Sequence, residues 1–176
     1  MANTLFNESI SEHVWRTKYH WSEDGRMLEP SIEATWDRVA LAVSSAEAHH
    51  RDEWRERFRS ILHDFRFFPG GRILAAAGTT RHTTLFNCFV MGPIEDSIQG
   101  IFNALREAMV TLQVGGGVGI DFSTLRPAGS VAVSSGGVAS GPVPFMTLWQ
   151  AANAVLESGN LRRGAMMATL RWTTRH

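Results

Sequence analysis

TLFNCFVMGPIEDSIQGIFNALREAMVTLQVGGGVGID, residues 84–121, decides the fold class. Its opening, residues 84–92, is apolar with aromatic and β-branched members, and reads as a buried strand. Asp96 and Ser97 are helix-start residues, and the helix they open runs to about Gln113. Ile98, Ile101, Phe102, Leu105, Met109 and Leu112 fall at helical spacing and predict its buried side. Past the glycines at 115, 116, 117 and 119, "IDFSTL" is extended in character. A strand, a helix and an extended segment in this order read as an α/β region.

Upstream the chain is different. Ser11 is placed to cap a short helix through Tyr19, with Val14 and Trp15 facing inward. Residues 20–30 read as a loop punctuated by Gly25 and Pro30. Ser31 opens a second helix, with Trp36, Val39, Ala40 and Val43 on one face. A third covers about 51–65, where Trp54, Phe58, Ile61, Leu62 and Phe65 form an apolar stripe. These two helices are expected to pack together as a scaffold. At "FRFFPGGRILAAAGTTRHTT" acidic residues vanish and glycine becomes frequent, with a turn at Pro69-Gly70-Gly71. The expected division is therefore a helical N-terminal region, 1–65, and an α/β region, 66–176. Downstream, Pro142 and Pro144 start a last helix, with Phe145, Met146, Leu148, Trp149, Ala152 and Val155 on or near its inner face. The glycine-containing loop "ESGNLRRGAMMATL" then runs into an apolar segment.

Bulk properties exclude several classes of function. Lys plus Arg equals Asp plus Glu, 17 each, so the net charge is +0 and gives no electrostatic case for nucleic-acid binding. The single cysteine, Cys88, rules out an internal disulfide framework and a cysteine-built zinc site. The seven histidines show no metal-ligand spacing, so no metal site is expected. The opening "MANTLFNESISEHVW" lacks the basic and apolar segments of a signal peptide, and no stretch approaches the roughly 20 apolar residues of a membrane span. A cytoplasmic protein without membrane contact is the expectation.

The glycine runs admit two readings. "GGGVGID" follows a helix, which does not suit a dinucleotide-binding loop, and no phosphate loop ending in Gly-Lys-Ser/Thr is present. The glycines either serve tight turns, or backbone N–H groups at "GGVASGP" form an anion nest near the following helix, with the Ser140 hydroxyl beside them. Cys88 is equally open. Free cysteines are commonly buried small hydrophobes, and a Cys/His pair with His82 is not established by spacing alone.

"RFFPGGRILAAAGT", "LFNCFV", "DSIQGI", "GGGVGIDFSTLRPAGS", "GGVASGPVPFM" and "GNLRRGAMMATLR" occur in this order, most densely between residues 64 and 171. Together they resemble the catalytic chain of ribonucleotide reductases. "FPGGRIL", "RRGAMMATLR" and "VWRTKY" at 14–19 lean toward the adenosylcobalamin-dependent class. The resemblance implies a helical region followed by the first part of a ten-stranded α/β barrel, incomplete here. It implies reduction of the ribose 2′-hydroxyl, in which a thiyl radical abstracts the 3′-hydrogen and a thiol pair supplies two electrons as water leaves. Cys88 matches the first thiol of that pair; its partner and the radical-bearing cysteine belong to later parts of the family's sequence. Asn87, Cys88, Ser140 and Gly141 match positions around the substrate. Asp96 and Ser97 match the deoxynucleotide effector site, and Arg162 and Arg163 the loop linking effector to substrate base. The implied cofactor is adenosylcobalamin in the full-length enzyme, its pocket largely outside this chain. The implied partners are a ribonucleotide, a deoxynucleotide effector, a thioredoxin-type reductant and a second copy of the chain. Two alternatives remain: the large subunit of an oxygen-dependent reductase, and a non-catalytic nucleotide-binding relic.

After Leu170-Arg171 the family continues with Cys-Asp-His-Pro, whereas this sequence reads Trp172-Thr173-Thr174-Arg175-His176. Deleting one C from TGC GAC CAC CCG gives codons for Trp-Thr-Thr and the start of an arginine codon. The expectation is a chain cut short by a one-base frameshift or a sequencing error, and inactive by itself.

Overall fold

The computed structural model describes Phe6 and residues 9–132, 136–157 and 164–172. By packing, the chain forms two compact units, Met1–Leu85 and Phe86–His176.

In the first unit, α1 (Ser9–Val14) runs into a five-residue π-helix, Trp15–Tyr19. Ser11 lies inside α1, so it is not the residue that opens the helix. Trp15 is buried as expected, and its indole N–H donates to Thr35 Oγ1 at 3.0 Å. A short hairpin, β1 (Ser22–Glu23) and β2 (Arg26–Met27), fills the expected loop. α2 (Ile32–Ser44) begins after Ser31, whose extended backbone (φ −152°, ψ 168°) marks the boundary. α3 (Arg51–Leu62) packs on α2, and Arg59 pairs with Asp37 between them. The α-helix stops at Leu62, because Asp64 takes a left-handed conformation within the 3-10 turn that follows.

The Pro69-Gly70-Gly71 turn leads directly into α4 (Gly71–Ala76). A Cβ at Gly71 would stand 3.1 Å from the Tyr19 ring, so glycine permits this close approach. A buried ion pair joins the layers. Glu29 accepts from Trp21 N (2.6 Å), Thr35 Oγ1 (2.9 Å) and Arg38 Nε (2.6 Å). Arg38 in turn donates to Leu74 O at 2.7 Å and to Ala77 O, satisfying carbonyls at the end of α4. Trp15, Ile32, Trp36, Val39, Ala40, Leu62, Leu74 and Ala77 form the core. The glycine-rich stretch after residue 66 thus differs from its upstream neighbours in composition while its helix α4 packs against them.

The second unit is the expected α/β arrangement. β3 (Cys88–Val90), β4 (Gly117–Asp121) and β7 (Met166–Thr169) are parallel, in the order β3-β4-β7. α5 (Ile98–Gln113) connects the first two strands; the small hairpin β5 (Val131–Ala132) and β6 (Gly137–Val138), then α6 (Pro142–Glu157), lead to the third. Val118, Ile120 and Phe122 pack with Ile101, Ala108, Leu112 and Trp149 to make the core. The Phe122 and Trp149 rings meet edge-on, centroids 5.2 Å apart.

Two expectations need correction here. Residues 84–92 are not a buried strand: only Cys88–Val90 joins the ladder, Cys88 is exposed, and Val90 is 96% exposed. β3 is an outer strand, and its alternate residues point to the sheet face opposite the core. On α5, Ile98 and Phe102 face solvent; Gly100, Ile101, Ala108 and Leu112 are buried. Gly100 is buried against the segment that leads into α5. A Cβ at Gly100 would fall 2.5 Å from Glu95 Cβ. On α6, Trp149 is buried as expected while Val155 is exposed.

Candidate functional site

The side chains of a strand alternate between faces, and parallel register carries that alternation from strand to strand. Cys88 pairs with Gly117, Val90 with Gly119, Gly119 with Met167 and Asp121 with Thr169. These residues share one face. Phe89, Val118, Ile120 and Met166 share the other, and Val118, Ile120 and Met166 contribute to the packed core there. The first face is open: Cys88, Val90, Met167 and Thr169 are all exposed.

Cys88 begins β3, at the N-terminal end of its strand. Asn87 precedes it, exposed, and its carbonyl accepts from Gly117 N at 2.8 Å. The would-be Cβ of Gly117 lies 3.1 Å from the Cys88 sulfur. Asp121 ends β4 on the same face. Its Oδ1 accepts from Ser123 N (3.0 Å) and Ser123 Oγ (2.5 Å). These hydrogen bonds from Ser123, with smaller help from Thr169 and the Arg171 charge, hold the Asp121 carboxyl below its ordinary pKa.

Asp96 and Ser97 lie beyond the other end of β3. Ser97 caps α5, accepting from Gly100 N at 3.0 Å, and its hydroxyl also donates to Glu95 Oε1 at 3.0 Å. The Asp96 carboxylate is held by Arg126, with Nε at 2.7 Å from Oδ2. Sequence reasoning passed over Arg126; the signal available was a lone arginine just after β4, where strand-end loops of parallel sheets bind ligands. Ser140 is exposed, and Gly141 takes a left-handed φ of +79° at the start of α6. A Cβ there would stand 2.9 Å from Ala128 N, so only glycine fits. Ala128 is two residues from Arg126. Ser140 and Gly141 therefore adjoin the loop that carries Arg126, while Asn87 and Cys88 sit at the strand's opposite end. Arg162 and Arg163 lie outside the described residues. Among the described residues no group of three or more His, Cys, Asp or Glu side chains is arranged to hold a metal, and no helix is long and apolar enough to cross a membrane.

Two family models match the chain: "Ribonucleotide reductase, all-alpha domain" over residues 5–82 and "Ribonucleotide reductase, barrel domain" over residues 86–174. Among curated proteins, it is 43% identical over 152 residues to a vitamin B12-dependent ribonucleoside-diphosphate reductase of Mycobacterium tuberculosis (strain CDC 1551 / Oshkosh), covering 84% of this chain and 22% of the relative. A protein of the same name from Thermoplasma acidophilum is 34% identical over 161 residues, covering 92% of this chain and 20% of the relative. The ribonucleoside-diphosphate reductase subunit alpha of Chlamydia pneumoniae is 26% identical over 153 residues, covering 87% and 14%. The chain thus spans about a fifth of the length of the vitamin B12-dependent relatives.

Proposed function

The chain belongs to the ribonucleotide reductase family, comprising its helical region and part of its barrel domain, and on that premise we propose that it supplies the N-terminal part of a catalytic chain that reduces ribonucleotides to deoxyribonucleotides with adenosylcobalamin. The observation that carries this reading is the position of Cys88: the sole thiol opens a parallel strand on the uncovered sheet face. A thiol there is accessible to a nucleotide and to a second thiol from elsewhere in a longer chain.

In this reading Cys88 is one of two thiols that become a disulfide. They deliver two electrons and two protons to the ribose, and the 2′-hydroxyl leaves as water. Asn87 flanks the ribose, and Ser140 and Gly141 present a hydroxyl and a backbone turn to the substrate. Asp96 and Ser97, with Arg162 and Arg163, serve a deoxynucleotide effector. A thioredoxin-type protein restores the thiols, and two copies of the chain associate. Adenosylcobalamin supplies radical initiation when bound. The described residues do not fit that group: the cavity beside Met91, Gly92, Glu95 and Asn103 is about 180 Å³ and the apolar one lined by Phe6, Trp15, Tyr19 and Phe68 about 470 Å³, both too small for a corrin with its nucleotide arms. The cofactor's binding site is assigned to other parts of the longer protein.

The reading favours the cobalamin class because relatives named vitamin B12-dependent are 43% and 34% identical, and a relative named only as a subunit alpha is 26% identical. The test is a chimera in which this chain replaces the matching segment of the M. tuberculosis relative. Thioredoxin-dependent turnover that requires adenosylcobalamin and is abolished by Cys88→Ser is expected, with none from the isolated chain. Turnover unaffected by Cys88→Ser would overturn the role of the thiol.

A further inference from the structure

Gly117 is buried although it lies on the sheet face that none of the described helices packs against. Its neighbour across the ladder is Cys88, and both project to that face. A Cβ built on Gly117 would meet the Cys88 sulfur at 3.1 Å, Ala165 O at 3.4 Å and Asn87 O at 3.5 Å. The two carbonyls are fixed, because Asn87 O accepts from Gly117 N at 2.8 Å and Ala165 O from Val118 N at 2.9 Å. The thiol is the only one of the three free to move, by rotation about χ1. Gly117 has no left-handed φ, so backbone conformation does not demand glycine here. What the missing side chain provides is a place for sulfur.

We propose that Gly117 is the positioning residue for the Cys88 thiol: its bare Cα lets the sulfur lie inward over the middle strand instead of pointing off the outer one. Gly119, next on the same face, meets nothing closer than Phe89 O at 4.0 Å. The inference rests on Cys88 being the working thiol, but its test concerns the sulfur's placement. Loss of the positioning effect and loss of the redox role would therefore be seen separately, the second in the chimera's turnover.

The experiment is alkylation of the native chain by iodoacetamide, with secondary structure and melting followed in parallel. In Gly117→Ala the sulfur must give way to the new methyl, by a few tenths of an ångström or by rotation about χ1 towards solvent, and the alkylation rate is expected to rise by about threefold or more with the fold retained. Gly119→Ala, with open space at its Cβ, is expected to leave the rate unchanged. A smaller rise or a fall in folded Gly117→Ala, or an equal response in Gly119→Ala, would overturn the proposal. If Gly117→Ala does not fold, the wild-type chain decides. The Cys88 χ1 rotamer, read from Hα–Hβ couplings, is expected to place Sγ over Gly117, and a rotamer that points the sulfur off the strand edge removes the assigned placement.

Discussion

Arg126 holds Asp96 twice, through Nε to the carboxylate at 2.7 Å and through Nη2 to the backbone carbonyl at 3.1 Å. One guanidinium thereby ties the loop after β4 to the entrance of α5, across thirty positions of sequence. Both side chains are partly exposed, so the pair contributes less than about 1 kcal/mol to folding. Arg126→Ala should shift urea unfolding by no more than that. The effector reading of Asp96 is tested separately. In the chimera, Asp96→Asn should weaken deoxynucleoside triphosphate binding about tenfold or more by calorimetry, the loss of one charged hydrogen bond. Unaltered affinity would remove Asp96 from the effector site.

Ser97 satisfies an N–H at the start of α5 that has no partner within the helix. Ser97→Ala should destabilise the second unit by about 1 kcal/mol, and Ser97→Asp should restore most of the loss. Thermal melts of the three proteins check the order. Equal melting of the alanine and wild-type chains would show that the cap is dispensable.

The Glu29–Arg38 pair is buried and fully engaged, so breaking it from one side should be far more costly. Arg38→Met leaves a carboxylate without its cation and two α4 carbonyls without donors, a loss of about 3–5 kcal/mol. The double variant Glu29→Met with Arg38→Met should lose less than the sum of the single changes. Chemical denaturation gives all three numbers, and strict additivity would contradict the coupling.

Asp121 is held below its ordinary pKa chiefly by the hydrogen bonds from Ser123. A depressed carboxyl stabilises the fold above its unfolded pKa, about 4, and the contribution disappears as pH falls through the folded value. Stability of the wild-type chain should therefore drop more steeply below pH 4 than that of Asp121→Asn. Unfolding curves taken at successive acid pH values compare the slopes; parallel slopes would show that the Ser123 contacts are not maintained in solution.

Much of the architecture was legible because its signals are local. Ser31 and Ser97 precede helices, Pro142 starts one, and the strand-helix-strand order of residues 84–121 holds. Burial was less legible. Val90 and Val118 are the same residue type, one 96% exposed and one 4%, and only strand position and face distinguish them. Gly100 and Ala108, on the packed side of α5, carry too little apolar surface to stand out beside Ile98 and Phe102. At the candidate site, Asn87, Cys88, Asp96 and Ser97 were singled out by the family resemblance, which reads residues in their order along the chain. Arg126 and Gly117 act through partners distant in sequence, and such pairings emerge only when strand register and loop path are known.

The two hydrophobic cores have consequences for how the chain is made. The first core's last buried member is Ala77, and the second core's first is Ile94. Every buried side chain of the first core has therefore been synthesised before any of the second exists. Completing the second, through Leu170, takes on the order of 5–20 s more at ordinary translation rates. During that interval the Arg38 guanidinium can already close on Leu74 and Ala77, because donor and acceptors have all been synthesised. The nascent β3, with its exposed sulfur, has no such early partner: β4 and then β7 follow it in the order of synthesis. The thiol is thus most vulnerable to stray oxidation on the ribosome, before Gly117 has emerged to receive it.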